Sequence, residues 1–208
     1  MSISPEQERL WVLQAQKGNQ EAFARLVEAY QRPVFNLAYR MLGNAESAED
    51  AAQETFLRVY TRLDSYDPNY KLASWILSIA SHHCIDRLRK SKGAQISLEE
   101  IDGGRWIPDP RLRPEDRALR TEERHDIRAQ LAQLPPDYRL VVILRYWHDL
   151  SYDEIAQMTE STESAVKSRL HRARQMMAEL LSEGEQAAEP IQTAAQRRLT
   201  KNAVSHSF

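Results

Sequence analysis

Apolar residues along the chain recur at three- and four-residue spacing, which is the period of an amphipathic helix and not of a strand. Phe23, Leu26, Val27, Tyr30, Val34, Leu37, Ala38 and Met41 hold that spacing between Asn19, a capping residue, and Gly43, a left-handed stop. Upstream, Ser4-Pro5-Glu6-Gln7 has the form of a capping box with proline at the first helical position, and Gly18 closes a first helix over 5–17. Pro33 is expected to kink or break the second helix. Asn44 opens a third that runs to about Arg62, with Ala48, Ala51, Ala52, Thr55, Phe56 and Val59 inward. Asp67-Pro68-Asn69 has turn chemistry, and a fourth helix follows from Lys71 to Lys90, buried through Leu72, Trp75, Ile76, Ile79, Ala80 and Leu88. No Val/Ile/Thr run alternates with polar residues, so the fold class is all-α.

The pattern fails between residues 92 and 117, where Gly93, Gly103, Gly104, Pro108, Pro110 and Pro114 interrupt every period. A stretch of that length is too long for an ordinary loop and predicts a flexible linker between two small helical domains. They are assigned to residues 1–91 and 118–181. Pro135-Pro136 restarts a helix, and Ser151-Tyr152-Asp153-Glu154 is a second capping box. Residues 182–208 are polar with few large apolar side chains and are expected to be disordered.

The chain carries 28 Lys+Arg against 30 Asp+Glu, a single cysteine and six histidines. One cysteine excludes an internal disulfide framework and a CxxC zinc site. No apolar run reaches the ~18 residues of a membrane span, and the polar start MSISPEQERLW lacks the order of a signal peptide. A soluble cytoplasmic protein is expected. The histidines and the cysteine show no nucleophile–base, phosphate-loop or metal-ligand spacing, so no catalysis, metal, cofactor or small-molecule substrate is expected. His82, His83 and Cys84 are adjacent on a helix, about 100° apart, and cannot converge on one ion. A net charge of -2 argues against a nucleic-acid partner only if the charges are evenly spread.

They are segregated. A short helix from Tyr152 to about Met158, a small polar turn at Thr159 to Thr162 and a longer helix over 163–181 predict a helix-turn-helix. On the second helix Val166, Leu170, Ala173, Met177 and Leu180 fall inward, while Ser164, Ser168, His171 and Gln175 lie opposite. Lys167, Arg169, Arg172 and Arg174 make that helix basic, which suits entry into a major groove; a merely solvated amphipathic face is the plain alternative. A second basic region combines Tyr66, Tyr70, Lys71 and Trp75 with His82, Arg87, Arg89 and Lys90. Aromatic faces and cations together are what unpaired DNA requires, although Trp75 fits a core and terminal cations also offset a helix dipole. In contrast, Glu46, Glu49, Asp50 and Glu54 make an acidic surface, suited to a basic protein partner or simply to solvent.

Four segments in order, DAAQETFLRVY (Asp50 to Tyr60), SWILSIASHHCIDRLRK (Ser74 to Lys90), LPPDYRLVVILRYWHDLSYDEIA (Leu134 to Ala156) and AVKSRLHRAR (Ala165 to Arg174), resemble bacterial RNA polymerase sigma factors of the extracytoplasmic-function group. The resemblance spans about residues 5 to 181. It implies sigma region 2 in the first domain and sigma region 4 in the second, with core RNA polymerase, promoter DNA and an anti-sigma factor as partners. Asp50, Gln53, Glu54 and Phe56 become polymerase contacts, Phe56 being alternatively only buried. Tyr66, Tyr70, Lys71, His82, Arg87, Arg89 and Lys90 become contacts to the melted minus-ten element. Ser168, His171 and Arg172 become minus-thirty-five base contacts, with Arg145, Lys167, Arg169 and Arg174 near phosphates and Ser164 a further DNA-binding residue at the helix entry. The acids Glu99, Glu100, Asp102, Asp109, Glu115 and Asp116 of the linker stand in for RNA phosphates or form a solvated spacer. The chain departs from the family pattern at Glu160, Thr162 and Ser164, where glycine or proline is usual, and at His82, where asparagine is frequent. A dimeric helix-turn-helix regulator is the rival reading; it leaves the acidic helix and the aromatic-basic helix without a role.

Overall fold

A computed structural model describes residues 3–91 and 127–182, and all regular structure among these residues is helical. The helices are α1 (Pro5–Gln16), α2 (Gln20–Leu42), α3 (Ala45–Arg62), α4 (Leu72–Ser91), α5 (127–133), α6 (Pro136–Trp147), α7 (Tyr152–Met158) and α8 (163–182), with one 3-10 turn at Leu63–Ser65. The linker over 92–117, the start of the second domain and the tail past residue 182 lie outside the described residues, as do the six linker acids.

Each boundary has a local cause. The Ser4 hydroxyl accepts from the Gln7 amide at 3.2 Å, Asn19 Oδ1 from Ala22 at 3.0 Å and Asn44 Oδ1 from Ser47 at 2.7 Å, so three helices begin on side-chain caps. Gly43 ends α2 at φ +88°, where its amide donates to the Tyr39 carbonyl. Pro33 does not break α2, which runs continuously through it. An interior proline costs ~3 kcal/mol. Burial of Leu26, Val34, Leu37 and Met41 around it outweighs that, at ~1.5–3 kcal/mol for each large side chain.

α2 is the axis of the first half, packing against α1, α3 and α4. Small residues Ala48 and Ala51 let α3 approach it, and Leu72, Ile76 and Leu77 close the core from α4. In the second half Leu131, Leu134, Ile143, Leu144, Ile155, Val166, Leu170 and Ala173 form the corresponding interior.

The halves are in contact. α6 packs on α2 and α4, and α7 packs on α4. Arg139 of α6, only 8% exposed, donates to the Met41 carbonyl at the end of α2 and to the carbonyls of Ala132 and Leu134 at the end of α5. Burial lowers this guanidinium to about 10, leaving it charged at neutral pH. Around it, Arg128 donates to the Tyr39 hydroxyl and Arg40 lies 5.1 Å from the Trp147 ring centroid.

His148, at the end of α6, lies beside this contact. Its Nε2 is buried without a hydrogen-bond partner among the described residues. Burial, reinforced by Arg40, pushes its pKa down to about 4. The folded imidazole thus refuses a proton that the unfolded one takes near 6.5, so stability rises with pH between about 4 and 6.5. His83 shifts in the same direction, chiefly by burial. Denaturant unfolding of the full chain should therefore lose about 2 kcal/mol from pH 7 to pH 5 through His148, and His148→Gln should flatten much of that slope. An unchanged slope in the variant would contradict the assignment.

Candidate polymerase and nucleic-acid interfaces

The helix-turn-helix is built by its caps. Ser151 accepts from the Glu154 amide while the Glu154 carboxylate accepts from the Ser151 amide, completing the box at the start of α7. α7 ends as the Ser161 amide reaches the Ala156 carbonyl at 2.9 Å, with Glu160 in the left-handed region at φ +49°. A non-glycine residue there costs roughly 1–2 kcal/mol. Thr162 then caps α8, its hydroxyl accepting from the Ala165 amide at 3.2 Å. Threonine serves a cap as well as glycine does, so only Glu160 carries the strain of the departure from the family pattern.

α8 buries Val166, Leu170 and Ala173, with Met177 partly covered, and exposes Ser164, Lys167, Ser168, His171, Arg172, Arg174 and Gln175. Arg169 is half-buried. Lys167 Nζ is 3.1 Å from Glu163 and 5.4 Å from the Tyr152 ring centroid, so the Tyr152 ring and Glu163 hold the first exposed cation of the helix. Arg172 reaches the Tyr138 hydroxyl at 3.5 Å, and Arg174 Nε donates to the Leu170 carbonyl at 3.3 Å. Arg145 donates to the Leu150 carbonyl at 2.8 Å and lies over Tyr152 at 5.3 Å. Its guanidinium braces the turn before α7, where Asp149 also takes a positive φ of 51°.

The loop between α3 and α4 is ordered by its own side chains. Asp67 Oδ1 accepts from the Asn69 amide at 2.9 Å, and the Tyr66 hydroxyl donates to the Tyr70 carbonyl at 2.6 Å. Tyr66 packs on Trp75 with ring centroids 5.3 Å apart, leaving Tyr70 and Lys71 exposed. Trp75 is half-buried and is thus both core edge and surface. Farther along α4, His82 and Lys90 are exposed and Cys84 is fully buried, its thiol pushed up to about 12. Among the described residues no group of His, Cys, Asp or Glu could hold a metal ion.

The cations of this second region have acidic partners. Lys71 Nζ is 2.8 Å from Glu154 of α7, Arg89 is 3.6 Å from Asp137 of α6, and Arg87 is 3.4 Å from Asp50 of α3. Sequence reasoning sends Asp50 and Arg87 to different partners, yet here they meet across the α3–α4 contact. Helical period shows which face a residue occupies and says nothing of which faces meet.

On α3, Asp50 and Gln53 are exposed, and Glu54 is paired with Arg58 at 2.7 Å. The Arg58 hydrogen bond, opposed by desolvation, holds the Glu54 carboxyl below its ordinary pKa. Phe56 is half-buried against the core. The same outward face continues through Leu57, 63% exposed, to Tyr60, which also packs edge-on against Phe23 at 4.9 Å. Leu57 and Tyr60 were missed by reading the acids alone; the available signal was that Leu57 lies four residues past Gln53 and seven past Asp50, and Tyr60 seven past Gln53.

Residues 26–93 match the model of sigma-70 region 2, and residues 124–177 match that of sigma-70 region 4. The chain is 38% identical over 173 residues to the ECF RNA polymerase sigma factor SigW of Bacillus subtilis, an alignment covering 80% of this chain and 92% of that protein. It is 30% identical to the RNA polymerase sigma-H factor of Pseudomonas aeruginosa, over 83% of this chain and 93% of the other. Among solved structures, CnrH bound to the cytosolic domain of CnrY aligns with a TM-score of 0.61 at 24% identity, over 85% of this chain and 98% of that one. The sigma factor RpoE bound to the anti-sigma factor NepR from Bartonella quintana has the same TM-score at 22% identity, over 77% and 96%. These two show the fold. With two region models matched in order and SigW alike over nearly its whole length, the chain belongs to the extracytoplasmic-function group of the sigma-70 family of RNA polymerase sigma factors.

Proposed function

We propose that the two halves of this sigma factor divide promoter recognition between residues 1–91 and residues 118–181. In the first half, Asp50, Gln53 and Glu54 dock on core RNA polymerase, joined by Leu57 and Tyr60, with Phe56 supporting the helix from beneath. The aromatic-basic region captures the melted minus-ten strand: Tyr66, Tyr70 and Trp75 offer faces to unstacked bases, and Lys71, His82, Arg87, Arg89 and Lys90 follow the backbone. In the second half, α8 enters the major groove at the minus-thirty-five element. Ser164, Ser168, His171 and Arg172 read base edges, while Arg145, Lys167, Arg169 and Arg174 sit near phosphates.

The observation that carries this reading is the order, in one chain, of an acidic docking helix, an aromatic-basic loop and helix, and a helix-turn-helix with a basic outward face. Reach supports it. Elements ~25 base pairs apart lie ~85 Å apart along B-DNA. At ~3.3–3.6 Å per residue, the 26 residues of the 92–117 linker can reach at most roughly 85–95 Å, just enough to join the halves across that span.

The work of a specificity subunit is binding and strand opening, so no catalytic group is assigned. Among the described residues no helix is long and apolar enough to cross a membrane, and the site of action is the cytoplasm, where polymerase and promoter meet. An anti-sigma protein is the assigned regulator; the relatives CnrH and RpoE are both seen with a bound partner.

Gel filtration with core RNA polymerase tests the docking surface. Co-elution is expected, and loss of co-elution in Asp50→Arg/Gln53→Ala would tie it to α3; free elution of the unaltered chain would overturn the reading. For the base reader, Arg172→Ala should reduce discrimination of the minus-thirty-five element by about 1–3 kcal/mol. Lys167→Ala should instead weaken binding equally on all sequences and lower the salt dependence. Equal loss on a scrambled element would move Arg172 to the phosphates.

A further inference from the structure

α1 ends before the stretch matched to sigma region 2 begins at residue 26, and it carries none of the residues assigned to polymerase or DNA. Its inward stripe is Glu8, Val12, Ala15 and Gln16, two buried apolar side chains between a carboxylate and an amide. The apolar pair holds α1 on the core, and the helix also packs on the turn after α3. We propose that α1 is the brace that sets the strand-capture loop, with Gln16 as its positioning residue, acting on the melted strand through Leu63 and Tyr66 without touching it. The proposal rests on the reading that this loop takes unpaired DNA.

The path runs through hydrogen bonds that can be followed one at a time. Leu63 opens the turn after α3 and is 2% exposed, so its carbonyl has to be paired within the protein. A carbonyl oxygen has room for two donors. Gln16 Nε2 donates to it at 3.0 Å from 47 residues away, and the Tyr66 amide donates at 3.2 Å, closing the 3-10 turn Leu63–Ser65. The Tyr66 ring then lies on Trp75, and its hydroxyl donates to the Tyr70 carbonyl at 2.6 Å. That carbonyl lies four residues before Ser74. Thr55 and Ser81 each return their hydroxyl to the carbonyl four residues back, at 2.7 Å, whereas Ser74 Oγ is buried with no partner among the described residues. Tyr70, Lys71, Ser74 and Trp75 line a cavity of about 590 Å³, so the hydroxyl left unpaired belongs to the pocket itself.

The start of α1 supports the other end of the loop. Glu8 stands eight residues before Gln16, about 12 Å along the helix axis, and accepts the Tyr30 hydroxyl of α2. Burial, and then the Glu8 charge, raise the Tyr66 phenol above its ordinary value, which keeps it protonated as the donor to Tyr70. α1 thus runs beside the loop from Leu63 to Tyr66 and holds both. A loop ordered in advance removes an entropic cost that the strand would otherwise meet on binding. Where only a fraction of molecules holds the loop in place, strand affinity falls by that fraction.

The test uses holoenzyme reconstituted from the full chain and purified core polymerase, on a promoter fragment taken from its mapped transcript starts. Duplex binding in the cold reports the closed complex, and permanganate reactivity of unpaired thymines on warming reports strand capture. Gln16→Met keeps the length of the side chain and removes the donor. It should lower strand capture about fivefold, with closed-complex affinity, polymerase co-elution and helicity by circular dichroism unchanged. Gln16→Lys supplies a donor again, at a helix end that favours a cation, and should recover most of the loss. Gln16→Glu, which sets an acceptor against an acceptor, should not. Gln16→Met opening the promoter as well as the unaltered chain would overturn the proposal. So would equal losses in Gln16→Met and Gln16→Lys, or a loss that closed-complex affinity shares, since either reduces Gln16 to a structural contact. Tyr70→Ala/Lys71→Ala checks the underlying reading: full strand capture by that variant would overturn the loop as the capture site, whatever Gln16 does.

Discussion

One guanidinium lies where the carboxyl ends of two helices from opposite halves of the chain converge. A helix leaves its last carbonyls unpaired and gathers partial negative charge at that end. Arg139 meets the Met41 carbonyl of α2 and the Ala132 and Leu134 carbonyls at the end of α5 with one forked cation. Left buried without a donor, each carbonyl would cost ~1–3 kcal/mol. Lysine could not replace the fork, since its ammonium is a point charge whose donors do not spread over three acceptors. The rest follows from this junction: Gly43 sets where α2 ends, α2 fixes α3 and α4, and Arg139 brings α6 and α7 onto the surface those helices make.

Much of the fold was legible because its boundaries are written in short-range chemistry. Asn19, Asn44 and Ser151 cap the helices expected of them, Gly18 and Gly43 take the left-handed conformation, and the inward stripe of α8 is buried at Val166, Leu170 and Ala173. Pro33 does not break α2, because a local rule met a helix whose burial outweighs one lost hydrogen bond. Arg139 escaped notice for a related reason. In a run such as Tyr138 to Leu144 a single arginine looks like the solvated side of an apolar helix, and its carbonyl partners lie 98 residues away at Met41 and at the preceding turn. Nothing local in the chain indicates that Lys71 faces Glu154, 83 residues on.

The same limit governs the charges. Segregation of acids onto α3 and bases onto α4 and α8 is visible in the sequence, and a net charge of -2 conceals it. Their mutual pairing is not visible. Asp50 with Arg87, Asp137 with Arg89 and Glu154 with Lys71 turn surfaces suited to polymerase and DNA into surfaces that first satisfy one another. Exposed pairs of this kind are individually weak, which fits the proposal that they give way to polymerase and promoter. On α8 the hydrogen-bonding centre of the outward face, Ser164, Ser168 and His171, is exposed.

We propose that this chain carries the promoter specificity of RNA polymerase, one half for each element. Run-off transcription with purified core polymerase on fragmented genomic DNA, followed by mapping of the transcript starts, tests it most directly. Starts that depend on the chain and share two sequence blocks, one near minus ten and one near minus thirty-five, are the predicted result. Starts no more frequent than with core polymerase alone, or starts sharing neither block, would contradict it.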